Sequence, residues 1–252
     1  NVAHSFPTRR SSDLAPALGG SDWTNWILSS AVPFGVGNEY RIEARSFDRT
    51  GSYSAVYSTI TTIYDDVAPV STMTYPAEGS VYISTLPYIK GNISDTGVNP
   101  STTVTSVRLQ IRKLSTGEYW KYDVLNWDPV PRTIPAGQVT VYVSSFAMFN
   151  NLPPRNKLTS GASYYVTASG SDDAVPGGNS ETFYIKGSTF TFDDAAPYAS
   201  IGLPVEGRYY SSFGALSGSG SDDVGVSTIA LNIQKSGGGC YRPAQNDFGA
   251  GN

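Results

Sequence analysis

A short acidic junction occurs twice in this chain and constrains its fold more than any other feature. The first copy is Asp65-Asp66-Val67-Ala68-Pro69, preceded by Tyr64. The second is Asp193-Asp194-Ala195-Ala196-Pro197, preceded by Phe192. The two lie 128 residues apart, counted from 65 to 193. Each follows a run rich in Thr and aromatic residues and precedes another. Self-similarity at a fixed spacing is the signature of tandem structural units, with the junctions as their seams.

The residues around the seams support this reading. Tyr40, Ile42 and Ala44 recur as Tyr164, Val166 and Ala168, and Asp48 recurs as Asp172, at an offset of 124 (40 to 164). The longer turn of the second copy, DDAVPGGN, accounts for the difference from 128. Beyond the second seam, Pro204, Glu206 and Gly207 match Pro76, Glu78 and Gly79, and Asp222 matches Asp95. Ile229, Leu231, Ile233 and Lys235 match Val107, Leu109, Ile111 and Lys113.

Within each unit the apolar pattern has a period of two. Tyr40, Ile42 and Ala44 alternate with Arg41, Glu43 and Arg45, and Val107, Leu109 and Ile111 alternate with Arg108, Gln110 and Arg112. Such alternation marks half-buried strands. Asp48 to Gly51 has turn chemistry, and Pro87 interrupts the strand pattern of residues 82–93, as at an edge or bulge. No stretch has helical periodicity. The expectation is an all-β chain of tandem immunoglobulin-like sandwiches, one complete and two truncated. The complete unit spans residues 67–194. Residues 15–66 form the last part of a preceding unit, and residues 195–252 the first part of a following one, with a frayed tail after Lys235. Tyr164, at the start of the penultimate strand, suits a corner role, its ring in the core and its hydroxyl on backbone.

Residues 4–14, HSFPTRRSSDL, resemble the translation of a sequencing-library adapter. Residues 1–14 are therefore read as a non-native segment, and the chain as a piece of a longer protein. This removes His4, the single histidine, from the functional inventory.

Composition narrows the function classes. With a net charge of −4 there is no basic field for a nucleic acid. No apolar run approaches the roughly 18 residues of a membrane span. A lone cysteine, Cys240, permits no intrachain disulfide and no thiolate zinc cage. Without His4, histidine-dependent nucleophilic or metal chemistry has no residues to use. Paired carboxylates remain, but they sit in turns repeated between copies, where a catalytic pair would be duplicated in every unit. The chain is read as no enzyme.

Two binding hypotheses remain. Calcium takes several carboxylate and carbonyl oxygens from flexible turns, and Asp65, Asp66, Asp193 and Asp194 lie at the seams. The turns carrying Asp48, Asp95, Asp172, Asp173, Asp222 and Asp223 could approach them. The alternative for these residues is the metal-free Asx-turn. Carbohydrate is the second hypothesis. In the aromatic excursion 115–137, Trp120, Tyr122 and Trp127, with Tyr119, could form a platform for sugar rings, or instead cap the sandwich core.

The stretches YRIEARSFDRTG, YDDVAP, YPAEGSVY, VRLQIRKLSTGEYW, FDDAAP, LPVEGRYY and GSDDVGVSTIALNIQK resemble bacterial Ig-like repeats of large secreted or surface proteins, with fibronectin type III character. The resemblance covers residues 39–235. It implies an extracellular or cell-surface location, neighbouring Ig-like repeats as partners, and a structural or adhesive spacer role, with a protein or polysaccharide ligand. An accessory carbohydrate-binding or spacer module of a secreted hydrolase or peptidase is the alternative. The excursion at 115–137 departs from the simple repeat and lengthens the complete unit.

Overall fold

The computed structural model describes residues 18–19, 26–28, 32–46, 48–52, 54–77, 81–95, 103–183, 186–245 and 247–249. The adapter-like segment and His4 lie outside them. The chain divides into two compact units, residues 1–64 and 65–252. About two-fifths of the described residues are strand, and their only helical turns are short 3-10 ones.

In the first unit β1 (Leu18–Gly19) pairs with β2 (Trp26–Ile27), and β3 (Glu39–Ala44) forms an antiparallel hairpin with β4 (Ser58–Ile63). The hairpin turn is built as its sequence directs. One carboxylate oxygen of Asp48 accepts from Thr50 N–H, Thr50 Oγ1 and Ser52 N–H, at 2.7–2.8 Å. These bonds hold the Asp48 carboxyl below its ordinary pKa, the Thr50 hydroxyl contributing most.

The second unit contains a two-layer β-sandwich. Its strands are β5 (Val70–Tyr75), β6 (Val81–Ile83), β7 (Ile89–Ser94), β8 (Ser106–Lys113), β9 (Tyr119–Lys121), β10 (Asn126–Asp128), β11 (Thr140–Val141), β12 (Ser145–Met148), β13 (Ser163–Ser171) and β14 (Gly187–Phe192). One sheet has the order β10-β9-β8-β13-β14-β6 and the other β11-β12-β7-β5. All pairings are antiparallel except β14 with β6, which is parallel. The chain changes sheets between β5 and β6, and again between β6 and β7 across Pro87.

The core lies between the two sheets. Val107, Leu109 and Ile111 of β8, with Tyr164 and Val166 of β13, face Ile89, Ile93, Phe146 and Met148 of the opposite layer, and all are almost fully buried. Each such side chain contributes about 1.5–3 kcal/mol by leaving water. The polar row of β8 is less exposed than its alternation suggests. Gln110 is buried and its amide donates to Thr133 Oγ1 at 3.1 Å, while Arg112 lies over the Tyr119 ring. Both partners come from the aromatic excursion, which forms the β9–β10 hairpin and widens the larger sheet.

Beyond the second seam, β15 (Tyr198–Leu203) pairs antiparallel with β16 (Ser217–Ser221). Its register reproduces that of β5 with β7, irregularity included. Met73 and Tyr75 flank the slip in the first pair, and Ile201 and Leu203 flank it in the second. The expected fraying after Lys235 is not what the chain does. Tyr241 N–H bonds Ile233 O, and β17 (Tyr241–Arg242) pairs with β18 (Asp247–Phe248), where the Tyr241 and Phe248 rings lie 5.5 Å apart. Two aromatic residues in a Gly-rich tail supply enough cross-strand contact for a short hairpin.

Candidate functional site

The seam residues are held by their own backbone first. Asp65 Oδ1 accepts from Val67 N–H at 3.0 Å, and Asp193 Oδ1 accepts from Ala195 N–H at 3.2 Å. Both are Asx-turns, which prepare the chain for the Pro two residues beyond each bond. The loops preceding the seams match as well. Gly37 N–H donates to Tyr64 O at 3.0 Å and Gly161 N–H to Phe192 O at 2.9 Å, with φ of 75° and 76° at the two glycines.

At the first seam, carboxylate oxygens of Asp65, Asp95 and Asp172 lie within 4.8 Å of one another. Asp95 directly follows β7, Asp172 directly follows β13, and both are buried. Asp172 is tightly fixed. Its Oδ1 accepts from Ala174 and Asn179 N–H, and its Oδ2 from the Asn179 side-chain amide, which also donates to Asp65 O at 3.3 Å. Asn179 thereby ties the turn after β13 to the seam backbone.

At the second seam, Asp193, Asp222 and Asp223 meet the same 4.8 Å limit. Asp65 and Asp95 recur here as Asp193 and Asp222. Asp222 Oδ2 accepts from Val224 N–H, while its Oδ1 is buried without a hydrogen-bond partner. The loop 154–161 braces this seam. Ser160 Oγ accepts from the N–H groups of Asp194 and Ala195, and Arg155 pairs with Asp194 at 2.6 Å.

Of the four seam aspartates named from sequence, Asp65 and Asp193 therefore enter the clusters. Asp66 is exposed and outside the first cluster, and Asp194 is turned to Arg155. The other members come from turns distant in sequence, whose approach depends on strand pairing. Asp173 is used differently, accepting from Thr103 N–H at 3.0 Å.

A donor set made only of carboxylate oxygens suits a hard cation such as calcium and no thiolate- or imidazole-seeking metal. Three carboxylates crowded together repel one another, and an orphaned buried oxygen on Asp222 lacks the donor that burial normally demands. A divalent cation held by Asp65, Asp95 and Asp172, or by Asp193, Asp222 and Asp223, would relieve both costs. Calcium takes six to eight oxygens, so carbonyls or water would complete either set.

The aromatic excursion forms no sugar platform around Trp120. That indole has no exposed surface, and its Nε1–H donates to Asn151 O at 2.7 Å. Trp127 and Tyr122 are half-buried against the same core, and Trp127 Nε1–H donates to Lys157 O at 2.7 Å. Trp120, Trp127, Tyr164 and Phe190 form a continuous row of rings 5.3–5.4 Å apart across β9, β10, β13 and β14. The excursion buries its rings because β9 and β10 extend the core-facing sheet, and the inward row must be apolar.

No family model matches the chain, and no curated protein matches it.

Proposed function

We propose that the chain is a structural and adhesive spacer, part of a tandem array of immunoglobulin-like sandwiches in an extracellular or cell-surface protein. One observation carries the reading. The first strand of the larger sheet, β6, pairs in parallel with its last strand, β14, through Phe190–Val81, Thr191–Tyr82 and Phe192–Ile83. Tension applied along the chain pulls β6 and β14 in opposite senses, so their hydrogen bonds are loaded together in shear. Adhesive contact is assigned to the loops of the sandwich.

The immunoglobulin-like reading draws on the sheet order and on Tyr164, whose hydroxyl bonds backbone five residues upstream. The tandem reading draws on the recurrence of two hairpins. β3–β4 and β13–β14 share one register, Tyr40–Thr62 matching Tyr164–Phe190, and β15–β16 repeats β5–β7. Calcium at the seams belongs to the same proposal. It would fasten the seam carboxylates to turns of the unit that follows, stiffening the entry to each sandwich. In the accessory-module alternative, carbohydrate-binding or spacer, Trp120 presents no ring face, and of the excursion only the half-buried Tyr122 and Trp127 could meet a sugar.

The test is mechanical. The full chain is stretched between its two ends in a single-molecule force experiment. The spacer reading expects a discrete unfolding peak from the sandwich, weakened by Thr191→Pro, which removes a backbone donor from β14. Smooth extension without a peak overturns it.

A further inference from the structure

The strands of the smaller sheet, β5, β7, β11 and β12, carry a single charged side chain, Lys90 of β7. Alternation along β7 buries Ile89, Gly91 and Ile93 and turns Lys90, Asn92 and Ser94 to the outer face. Tyr75 of β5 and Ala147 of β12 stand on either side of Lys90, and Thr72 and Ser145 on either side of Asn92. The register of β12 with β7 ends at Met148 opposite Ile89, and one step further come Phe149 and Tyr88. Both rings therefore fall at the rim of the outer face. The Tyr88 ring lies 4.6 Å from that of Tyr75 and 6.3 Å from that of Phe149. Lys90 Nζ stands 4.4 Å from the centre of the Tyr88 ring and 5.7 Å from that of Phe149.

The fold does not require this cluster. The pair β15–β16 repeats the register of β5–β7, yet Leu203 stands opposite Ser217 where Tyr75 stands opposite Lys90. Two residues before Ser217, in the place of Tyr88, is Ala215. The same strand pairing thus forms without the rings or the cation. In the sandwich, Phe149 is left 50% exposed. Lys90 has no carboxylate partner, and the Asn92 amide no hydrogen-bond partner, among the described residues. Next along the face, Thr72, Asn92, Ser94 and Ser144 line an open depression of about 400 Å3, a size ordinary for small-ligand sites.

We propose that this face binds an acidic polysaccharide, with sugar rings lying on Tyr88 and Phe149 and a sugar carboxylate meeting Lys90. The inference rests on the adhesive part of the spacer reading and says which end of the sandwich makes the contact and with what. An aromatic ring has a negative face, which attracts the C–H bonds of a pyranose. The ammonium is the one charge of the sheet, and no acidic side chain of these strands competes for it. The amide of Asn92 and the hydroxyls beside it suit sugar hydroxyls. A peptide strand would instead add at a sheet edge, whereas these side chains stand on the face of a strand flanked on both sides.

The test is affinity electrophoresis of the full chain through gels containing polygalacturonate, with Kd taken from mobility against polymer concentration. The unmodified chain should be retarded. Lys90→Gln should weaken binding by about tenfold, the worth of a hydrogen bond to a charged group. Phe149→Ser should weaken it by about fivefold through the lost ring. Lys121→Gln, which removes a cation from β9 in the other sheet, should leave it unchanged. Circular dichroism checks that each variant is folded. Methyl-esterified polygalacturonate, which keeps the rings and loses the charge, should bind as weakly as Lys90→Gln binds the acid. Equal binding of the ester overturns the acidic class, and equal competition by polyglutamate overturns the carbohydrate class. Retardation that is absent, or untouched by Lys90→Gln and Phe149→Ser, overturns the site. An intact force peak in the same sample then leaves the spacer reading standing.

Discussion

The phenolic oxygen of Tyr164 accepts a hydrogen bond from the backbone N–H of Thr159 at 2.8 Å, over a ring that is fully buried. Tyr40 stands in the same relation to Gly35, at 2.6 Å. Each bond ties the loop before a strand, β13 or β3, to the tyrosine that heads it. Tyr164→Phe keeps the ring but strands the Thr159 donor, at a cost of about 1–3 kcal/mol. The urea midpoint should fall with an unchanged denaturant slope. Tyr40 is less buried, so Tyr40→Phe should cost less.

Gly170 lies under Ile93, and a methyl group added there would overlap Ile93 Cδ1. Gly170→Ala is expected to destabilise by about 1–3 kcal/mol through overpacking. Ile93→Val removes the clashing atom and alone costs about 0.5–1.5 kcal/mol. The double variant should lose less than the sum of the two, measured as a coupling energy in denaturant unfolding.

Trp120 closes the core with no exposed surface. Its truncation to Ala should cost about 3–5 kcal/mol, read as a large drop in melting temperature. The milder Trp120→Phe retains a folded chain and loses the bond to Asn151. Affinity electrophoresis on soluble polysaccharides should show no difference between this variant and the unmodified chain. Retention that depends on Trp120 would restore the sugar reading.

Millimolar calcium should raise the melting temperature by a few degrees, and chelation should reverse it. Asp65→Asn combined with Asp172→Asn should abolish the response of the first seam. Asp66→Asn, outside the cluster, should preserve it. Magnesium, which prefers a small and rigid octahedral shell, should substitute poorly. A melting curve indifferent to calcium removes the cation from this fold.

Asp128 closes the turn after β10. Its Oδ1 accepts from Val130 N–H and its Oδ2 from Arg132, and these bonds, Val130 foremost, hold its carboxyl below the ordinary value. A depressed carboxyl contributes stability above its unfolded pKa and loses it as pH falls through the folded one. Asp128→Asn should therefore melt below the unmodified chain at neutral pH. The two curves should converge once pH drops under the carboxylate range.

Local chemistry was legible in the sequence and layer assignment was not. The alternation of residues 39–44 and 106–113, and the Asp48 turn, followed from side-chain period and turn residues. The role of Tyr164 followed from its place at the start of a strand. Gln110 escaped, because an alternating row says which side chains share a face but not what later covers it. Trp120 was ambiguous for the same reason: an aromatic-rich hairpin reads alike whether it extends a sheet toward core or toward water. The acidic clusters were half visible. Asp65 and Asp193 stand out because their acidic motif occurs twice in the sequence, but the burial of Asp95 and Asp172 depends on β7 and β13 ending at the same rim. The tail hairpin at 241–248 rests on one aromatic pair, too short a pattern to stand out from a Gly-rich sequence.

The passage of the chain from β5 in one layer to β6 in the other has a thermodynamic consequence. Between them lie only five residues, 76–80. A slip of β5 away from β7 pulls directly on β6 and so on β14. Loosening of one layer is therefore transmitted to the other through a short connection. The two sheets are expected to melt together, by covalent connection as well as by packing.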